Sequence, residues 1–265
     1  MARKCIVSAV QMDCIPGDRD ANLRHAAELV AEAADEGAQI VVLPELFSTG
    51  YRVEARDVDL AESLSGHTIR WMQDAAQRHG VYLAAAILER GEDGLVYDTA
   101  VLVGAEGCVG RHRKMHLWDA ESGRFAKGTE IGVYRLPFAT VGLLICYEIG
   151  FPEMARIQAL KGADVLLYPS AFGRARDYVW DIASKSRALE NGVFVVACNR
   201  CGQEQDTSFG GLSRVVAPDA SLLAAAGVDG EAVVSAEIDL DAVAAMRKTL
   251  PYLRDLNPRL RNEMF

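Results

Sequence analysis

Apolar runs of strand length alternate with amphipathic stretches along most of the chain. "CIVSAVQM" (5–12) predicts a first strand. Over 20–37 the residues Leu23, Ala26, Ala27, Leu29 and Val30 recur on one helical face, and Gly37 supplies a stop. "AQIVVLP" (38–44) is continuously apolar and reads as a buried strand. A loop with a short helix follows, then a helix over 66–79 ended by Gly80. "VYLAAAILER", "LVYDTAVLV" and "CVGRHR" predict three successive strands joined by glycine-containing turns, a meander and not a βα unit. Residues 114–131 show no period, and "GVYRLPFATVGLLIC" predicts two strands with a turn near Pro137. The second half predicts a helix at 152–161, a strand at 164–168, a helix at 177–191 and a strand at 193–198. Short strands follow around 207–217, 221–225 and 232–238, then a last helix over 239–249 with Asp239 as its cap. Strands and helices mix throughout with no linker or break in composition. The pattern therefore predicts one α/β mixed domain over 1–265, with two packed mixed sheets covered by helices.

Composition changes this picture little. The 265 residues are 50% hydrophobic and 25% charged, and no apolar run reaches the length of a membrane helix. A net charge of −9 disfavours nucleic acid or an anionic membrane as partner. The amino-terminal apolar stretch meets Gln11 and Asp13 too early for a signal peptide, so a cytoplasmic location is expected. Six cysteines, at 5, 14, 108, 146, 198 and 201, are expected to be free thiols. Cys198 and Cys201 have redox or metal spacing, but nothing nearby completes a zinc site, and Cys198 reads as the end of a strand. His112 and His116 have the spacing of a helical metal pair, yet their segment reads as strand and loop. No metal site is expected there, and His116 is read as structural support.

Three polar residues stand where strands stop. In "GLLICYEIGFPEMAR" (142–156) an apolar strand ends at Cys146. Pro152 then suits the first turn of a helix whose Met154, Ile157 and Leu160 share a face. A thiol on such a turn is a buried small hydrophobe or a nucleophile with a lowered pKa. Glu45 follows "IVVLP" and is a surface acid or a placed acid/base. Lys114 closes the basic run from Arg111, whose ordinary reading is solvated charge.

Taken together, "LPELFSTGY" around Glu45, "RKMHL" around Lys114 and "GLLICYEIGFPEMAR" around Cys146 resemble, in order and in context, the nitrilase superfamily of carbon–nitrogen hydrolases. "NLRHAAELVAEAADEGAQIVVLPE", "ALKGADVLLYPSAF", "SRALENGVFVVACNR" and "LPYLRDLNPRL" extend the likeness over nearly the whole chain. The resemblance implies a four-layer αββα sandwich and a Glu45–Lys114–Cys146 triad, with no metal or organic cofactor. It also implies that Glu121 positions Lys114 or the substrate, and that the Tyr147 backbone N–H serves as an oxyanion donor. Glu148 is expected to face the backbone at the helix start. Tyr51, Trp118, Phe125, Ala171 and Phe172, beside the triad, are expected pocket walls. Tyr147 follows the nucleophile where true nitrilases usually carry Trp, which is similar to the amidase branch, including bacterial aliphatic amidases and 5-aminopentanamidases. The implied activity is hydrolysis of a small or medium aliphatic primary amide to acid and ammonia. The alternatives are an N-carbamoyl amidohydrolase, a true nitrilase, or a binding protein on the same fold. Arg174 and Arg176 would suit a substrate carboxylate but are read as solvated charges. The resemblance also implies a homodimer or larger homo-oligomer, with the tail 249–265 at the subunit interface.

Overall fold

The apolar runs form two six-stranded sheets in the computed structural model, which describes residues 3–264. The first sheet uses β1 (Lys4–Gln11), β2 (Ile40–Glu45), β3 (Tyr82–Arg90), β4 (Val96–Gly104) and β5 (Gly107–Arg113). The second uses β6 (Val133–Arg135), β7 (Thr140–Leu143), β8 (Val165–Ser170) and β9 (Phe194–Asn199). A small hairpin of β10 (Gln203–Glu204) and β11 (Thr207–Ser208) follows. Next come β12 (Arg214–Val216) and β13 (Leu222–Ala225) of the second sheet, and β14 (Ala232–Asp239), which returns to the first. The orders are β14-β1-β2-β3-β4-β5 and β13-β12-β9-β8-β7-β6. In each sheet three central strands run parallel and the outer pairings are antiparallel.

Alternation along β2 shows how the layers stack. Ile40 and Val42 join the core shared with the second sheet. Val41 and Leu43 point the other way, into a core shared with α1 (Arg19–Asp35). A strand buried on both faces has no polar face to show, hence the unbroken apolar run. After α2 (Asp57–Leu60) comes α3 (His67–His79), which lies beside α1 on the first sheet and ends at Gly80 in the left-handed conformation (φ 67°). α4 (Pro152–Leu160) and α5 (Asp177–Asn191) cover the second sheet through Met154, Ala155, Trp180 and Ala183, completing four αββα layers.

Two boundaries differ from the sequence pattern. The stretch 207–217 is broken by Gly210 and Gly211 into β11 and β12. Asp239 ends β14 and does not cap the last helix. That helix, α6 (Asp241–Thr249), starts after Leu240, although the Asp239 carboxylate still accepts the Asp241 N–H at 3.0 Å. The tail forms two short exposed helices, α7 (Tyr252–Asp255) and α8 (Pro258–Glu263).

Candidate active site

Strand ends of the two sheets meet at one place, and both contribute. A register shift between Val42 and Glu45, across Pro44, turns Glu45 at the end of β2. Leu46 follows in the left-handed region (φ 52°). On the second sheet β7 ends at Leu143, and Cys146 itself takes a φ of 44° at the start of a 3-10 turn, Cys146–Gly150. A left-handed conformation at a non-glycine residue costs about 1–3 kcal/mol and persists only where its surroundings impose it. Here the turn is tied on both sides by Glu148. That carboxylate accepts the Ile145 N–H (2.9 Å) and bonds His112 Nε2 (2.8 Å). Its other oxygen accepts the Met115 N–H (2.8 Å). Glu148 thus clamps the residue before Cys146 to the residue after Lys114. Burial would raise its pKa, but His112 and these donors hold it well below the usual carboxylate range.

The basic run 111–114 is sorted by strand period. Arg111 and Arg113 fall on one side, and Arg113 makes a bidentate pair with Glu89 (2.6 and 2.9 Å). His112 and Lys114 fall on the other side, inside the protein. Solvated charge is therefore the wrong reading for Lys114, which is 0% exposed. Its Nζ donates to Glu45 Oε1 at 2.6 Å and to Glu121 Oε1 at 2.8 Å, and lies 3.2 Å from Asp98 Oδ2. Burial would lower the Lys114 pKa, but the acids, Glu45 foremost, hold it well above its ordinary value, so the side chain stays an ammonium. Glu45, also 0% exposed, accepts the Ala171 N–H at 2.8 Å through its other oxygen. Burial would raise its pKa, yet the Lys114 charge and hydrogen bonds hold it below the usual range. Glu121 bonds Lys114, the Tyr51 hydroxyl (2.6 Å) and the Trp118 N–H (2.7 Å).

Cys146 stands against this group, with hydrogen bonding to Glu45, and is 7% exposed at the foot of a cleft of about 370 Å³. The lowered thiol pKa considered from the sequence is reversed. Burial first, then the Glu45 charge, push it well above the ordinary value, and Lys114 opposes them only in part. The resting group is a thiol beside a carboxylate base. Cys146 and Tyr147 open the 3-10 turn, whose first internal donor is the Glu148 N–H, so their own N–H groups have no partner within it.

Tyr51, Trp118, Ala171 and Phe172 line the cleft as expected, and Tyr147 joins them. Phe125 does not. It is buried with Leu46, Val53, Leu88 and Val96, because the chain turns inward after the 3-10 turn Asp119–Gly123. Arg174 is exposed and ion-paired to Asp229, as a solvated charge should be. Arg176 is half-buried. Its guanidinium stacks over the Trp118 ring (4.2 Å) on the cleft wall, with no hydrogen bond or carboxylate partner among the described residues. Asp98 escaped the sequence reading, whereas Arg176 is considered there for a substrate carboxylate and set aside as a solvated charge. The one signal for Asp98 was a charged residue amid the apolar β4.

Glu45, Asp98 and Glu121 bring oxygens within 4.8 Å of one another, a spacing that can hold a metal ion. The cation on which they converge is Lys114. Cys198 is fully buried, and Cys14 and Cys201 are nearly so. Burial raises all three thiols, Cys14 to about 12, so the Cys198–Cys201 spacing marks no reactive pair.

The chain is 39% identical over 259 residues to a nitrilase of Pyrococcus abyssi, covering 95% of this chain and 94% of that one. It is 34% identical over 260 residues to the 2-oxoglutaramate amidase of Bacillus subtilis, covering 97% and 99%. The fold matches an amidase from Nesterenkonia sp. AN1, solved in complex with acrylamide, at a TM-score of 0.87 and 26% identity over 99% of this chain and 98% of that one. Residues 6–248 match the carbon-nitrogen hydrolase family, and the chain is an enzyme of that family, within the nitrilase superfamily.

Proposed function

We propose that the protein hydrolyses small primary amides to carboxylic acid and ammonia through a thioester on Cys146. An amide carbonyl is a weak electrophile with a poor leaving group, and a covalent intermediate divides the barrier. Glu45 takes the proton of Cys146 as sulfur attacks the carbonyl carbon. Because the thiol is neutral at rest, proton removal and attack go together. Negative charge moves to the carbonyl oxygen, where the Lys114 ammonium and the Tyr147 N–H stabilise it. Glu45 then passes its proton to the leaving nitrogen, ammonia departs, and the same carboxylate deprotonates the water that cleaves the thioester. Glu121 is the second carboxylate to hold Lys114.

The observation that carries this reading is the 2.6 Å Glu45–Lys114 pair, fully buried beside a thiol that, unlike that pair, lines the cleft. Ammonia release from a panel of short amides, nitriles and N-carbamoyl compounds tests it, with mass spectrometry of the acyl-enzyme on Cys146. Nitriles or carbamoyl compounds turned over faster than every amide would overturn the amide reading. No turnover at all would favour a binding protein.

Arg176 narrows the substrate. An unpaired guanidinium on the wall of a cleft is a receptor for an anion, and its planar fork suits a carboxylate. Trp118 lies between it and Tyr147, next to the nucleophile, with ring centroids 4.9 Å apart. The preferred amide therefore carries a carboxylate a few bonds from the amide carbon. The 2-oxoglutaramate amidase named among the relatives acts on such a compound. We also propose that copies pair through the exposed apolar residues of α5, Tyr178 and Ile182, together with the C-terminal helices. Light scattering tests this: a monomer at micromolar concentration would exclude it.

A further inference from the structure

The three acids around Lys114 are not equivalent, and their hydrogen bonds divide them. Glu45 accepts from Lys114 and the Ala171 N–H, and Glu121 accepts from Lys114, Tyr51 and the Trp118 N–H. Asp98 is 0% exposed, and among the described residues no N–H or O–H donor is hydrogen-bonded to either of its oxygens; its hydrogen-bonding neighbour is the Glu45 carboxylate, a contact that requires a proton on one of the two acids. Its Oδ2 lies 3.2 Å from Lys114 Nζ without forming a hydrogen bond. A buried carboxylate with no hydrogen bond is far costlier than a buried carboxylic acid. Three carboxylates whose oxygens converge within 4.8 Å on one ammonium do not all ionise. One of them keeps a proton, and the two that are bonded as anions are not that one.

We propose that Asp98 is a neutral carboxylic acid in the folded protein, a positioning residue that holds the cluster's proton beside Glu45 and leaves the third N–H of Lys114 available to the substrate oxygen. The charged groups facing Asp98 are Lys114, Glu45 and Glu121, with Cys146 and Tyr51 beyond them. Burial first, then the Glu45 charge, raise the Asp98 pKa well above its ordinary value against the pull of Lys114, in the direction the hydrogen bonds require. The arrangement also keeps the charge constant during attack. Glu45 and Glu121 are negative and Lys114 positive at rest. When the Cys146 proton moves to Glu45, the negative charge it leaves goes to the oxyanion, and no proton enters from solvent. An ionised Asp98 would instead add a negative charge and compete with the oxyanion for Lys114.

The assignment of charge stands by itself, whereas its part in the oxyanion step rests on the reaction proposed above. Denaturant unfolding between pH 4.5 and 8 separates the two, using wild type, Asp98→Asn, and the same pair in a Cys146→Ala background. In the unfolded chain Asp98 ionises above about pH 3.9, while the folded chain keeps the proton. The native state then binds more protons, and stability falls as pH rises. Asparagine lacks this loss, so the unfolding constant of wild type relative to Asp98→Asn should grow by up to about tenfold per pH unit, with or without Cys146. A flat or shrinking ratio would overturn the assignment. In turnover, Asp98→Asn should keep kcat within about threefold. Asp98→Ala removes the group that positions Lys114 and should lower kcat by about a hundredfold with KM little changed, the scale of a misplaced catalytic group. A folded Asp98→Asn that loses a hundredfold would refute the neutral role, and it decides the matter even if the alanine variant fails to fold.

Discussion

Two turns of the second sheet carry buried cysteines at strand ends, and they do opposite things. Cys198 is the last residue but one of β9, fully buried, and its thiol donates to the Val10 carbonyl at 3.1 Å. No base faces it, burial raises it well above the ordinary thiol value, and it is a packing residue. Cys146 lies just past the end of β7 and is raised as well, but it faces Glu45 and opens onto the cleft. A shifted pKa does not distinguish them. What distinguishes them is an unsaturated base and a route to solvent. The acids repeat the lesson. Glu148 and Glu45 are both 0% exposed and both held below the usual range, but Glu148 is closed by backbone donors and His112, while Glu45 keeps the thiol as a partner.

The contrast is broken most sharply at the two thiols. Cys146→Ala should reduce ammonia release by at least ~1,000-fold, the scale of losing a covalent nucleophile. Cys198→Ala should leave turnover within about twofold; equal losses at the two sites would end the distinction. Glu45→Gln, assayed for ammonia with the fold checked by circular dichroism, should cost ~100- to 10,000-fold, the range of a general base. The other carboxylate should speak through stability. Glu148→Gln leaves His112 without its counter-charge, a change of about 3–5 kcal/mol for a buried pair. In a thermal scan that lowers Tm by roughly 10 °C.

The sign of the pH effect follows from the same depression. Stability from Glu148 is complete above the unfolded carboxylate value of about 4.3 and is lost as pH falls towards the lower folded value. Below pH 4 the gap between wild type and Glu148→Gln should therefore narrow, and a gap that widened there would reverse the assignment. The smallest effect belongs to the two arginines of the cleft loop. Arg176→Ala should lower kcat/KM about 10- to 100-fold for a carboxylate-bearing amide, the value of a charged hydrogen bond, and leave a neutral amide unchanged. Arg174→Ala, whose guanidinium is already paired to Asp229, should move neither.

Strand and helix positions were legible because both are local periods. The β5 run Arg111 to Lys114 shows the limit: its composition reads as a charged surface, and only the alternation of a strand against a covered face sends His112 and Lys114 inward. Phe125 sits close to the site in sequence and still packs away from it, because proximity along an irregular segment says nothing of side-chain direction. Arg176 lies two residues from Arg174 with the same chemistry, and only its stacking over Trp118 separates an unpaired cation on the cleft wall from one ion-paired to Asp229.

By itself the sequence determined the alternation of elements, the strand ends at which Glu45, Lys114 and Cys146 stand, and the family to which those contexts belong. Tertiary structure decided which charges those residues carry. The protonation of Asp98, the neutral thiol of Cys146 and the retained ammonium of Lys114 depend on burial and on distances between side chains far apart along the chain. Coulomb energies and desolvation are set by separation in space, and that separation exists only once the two sheets are packed.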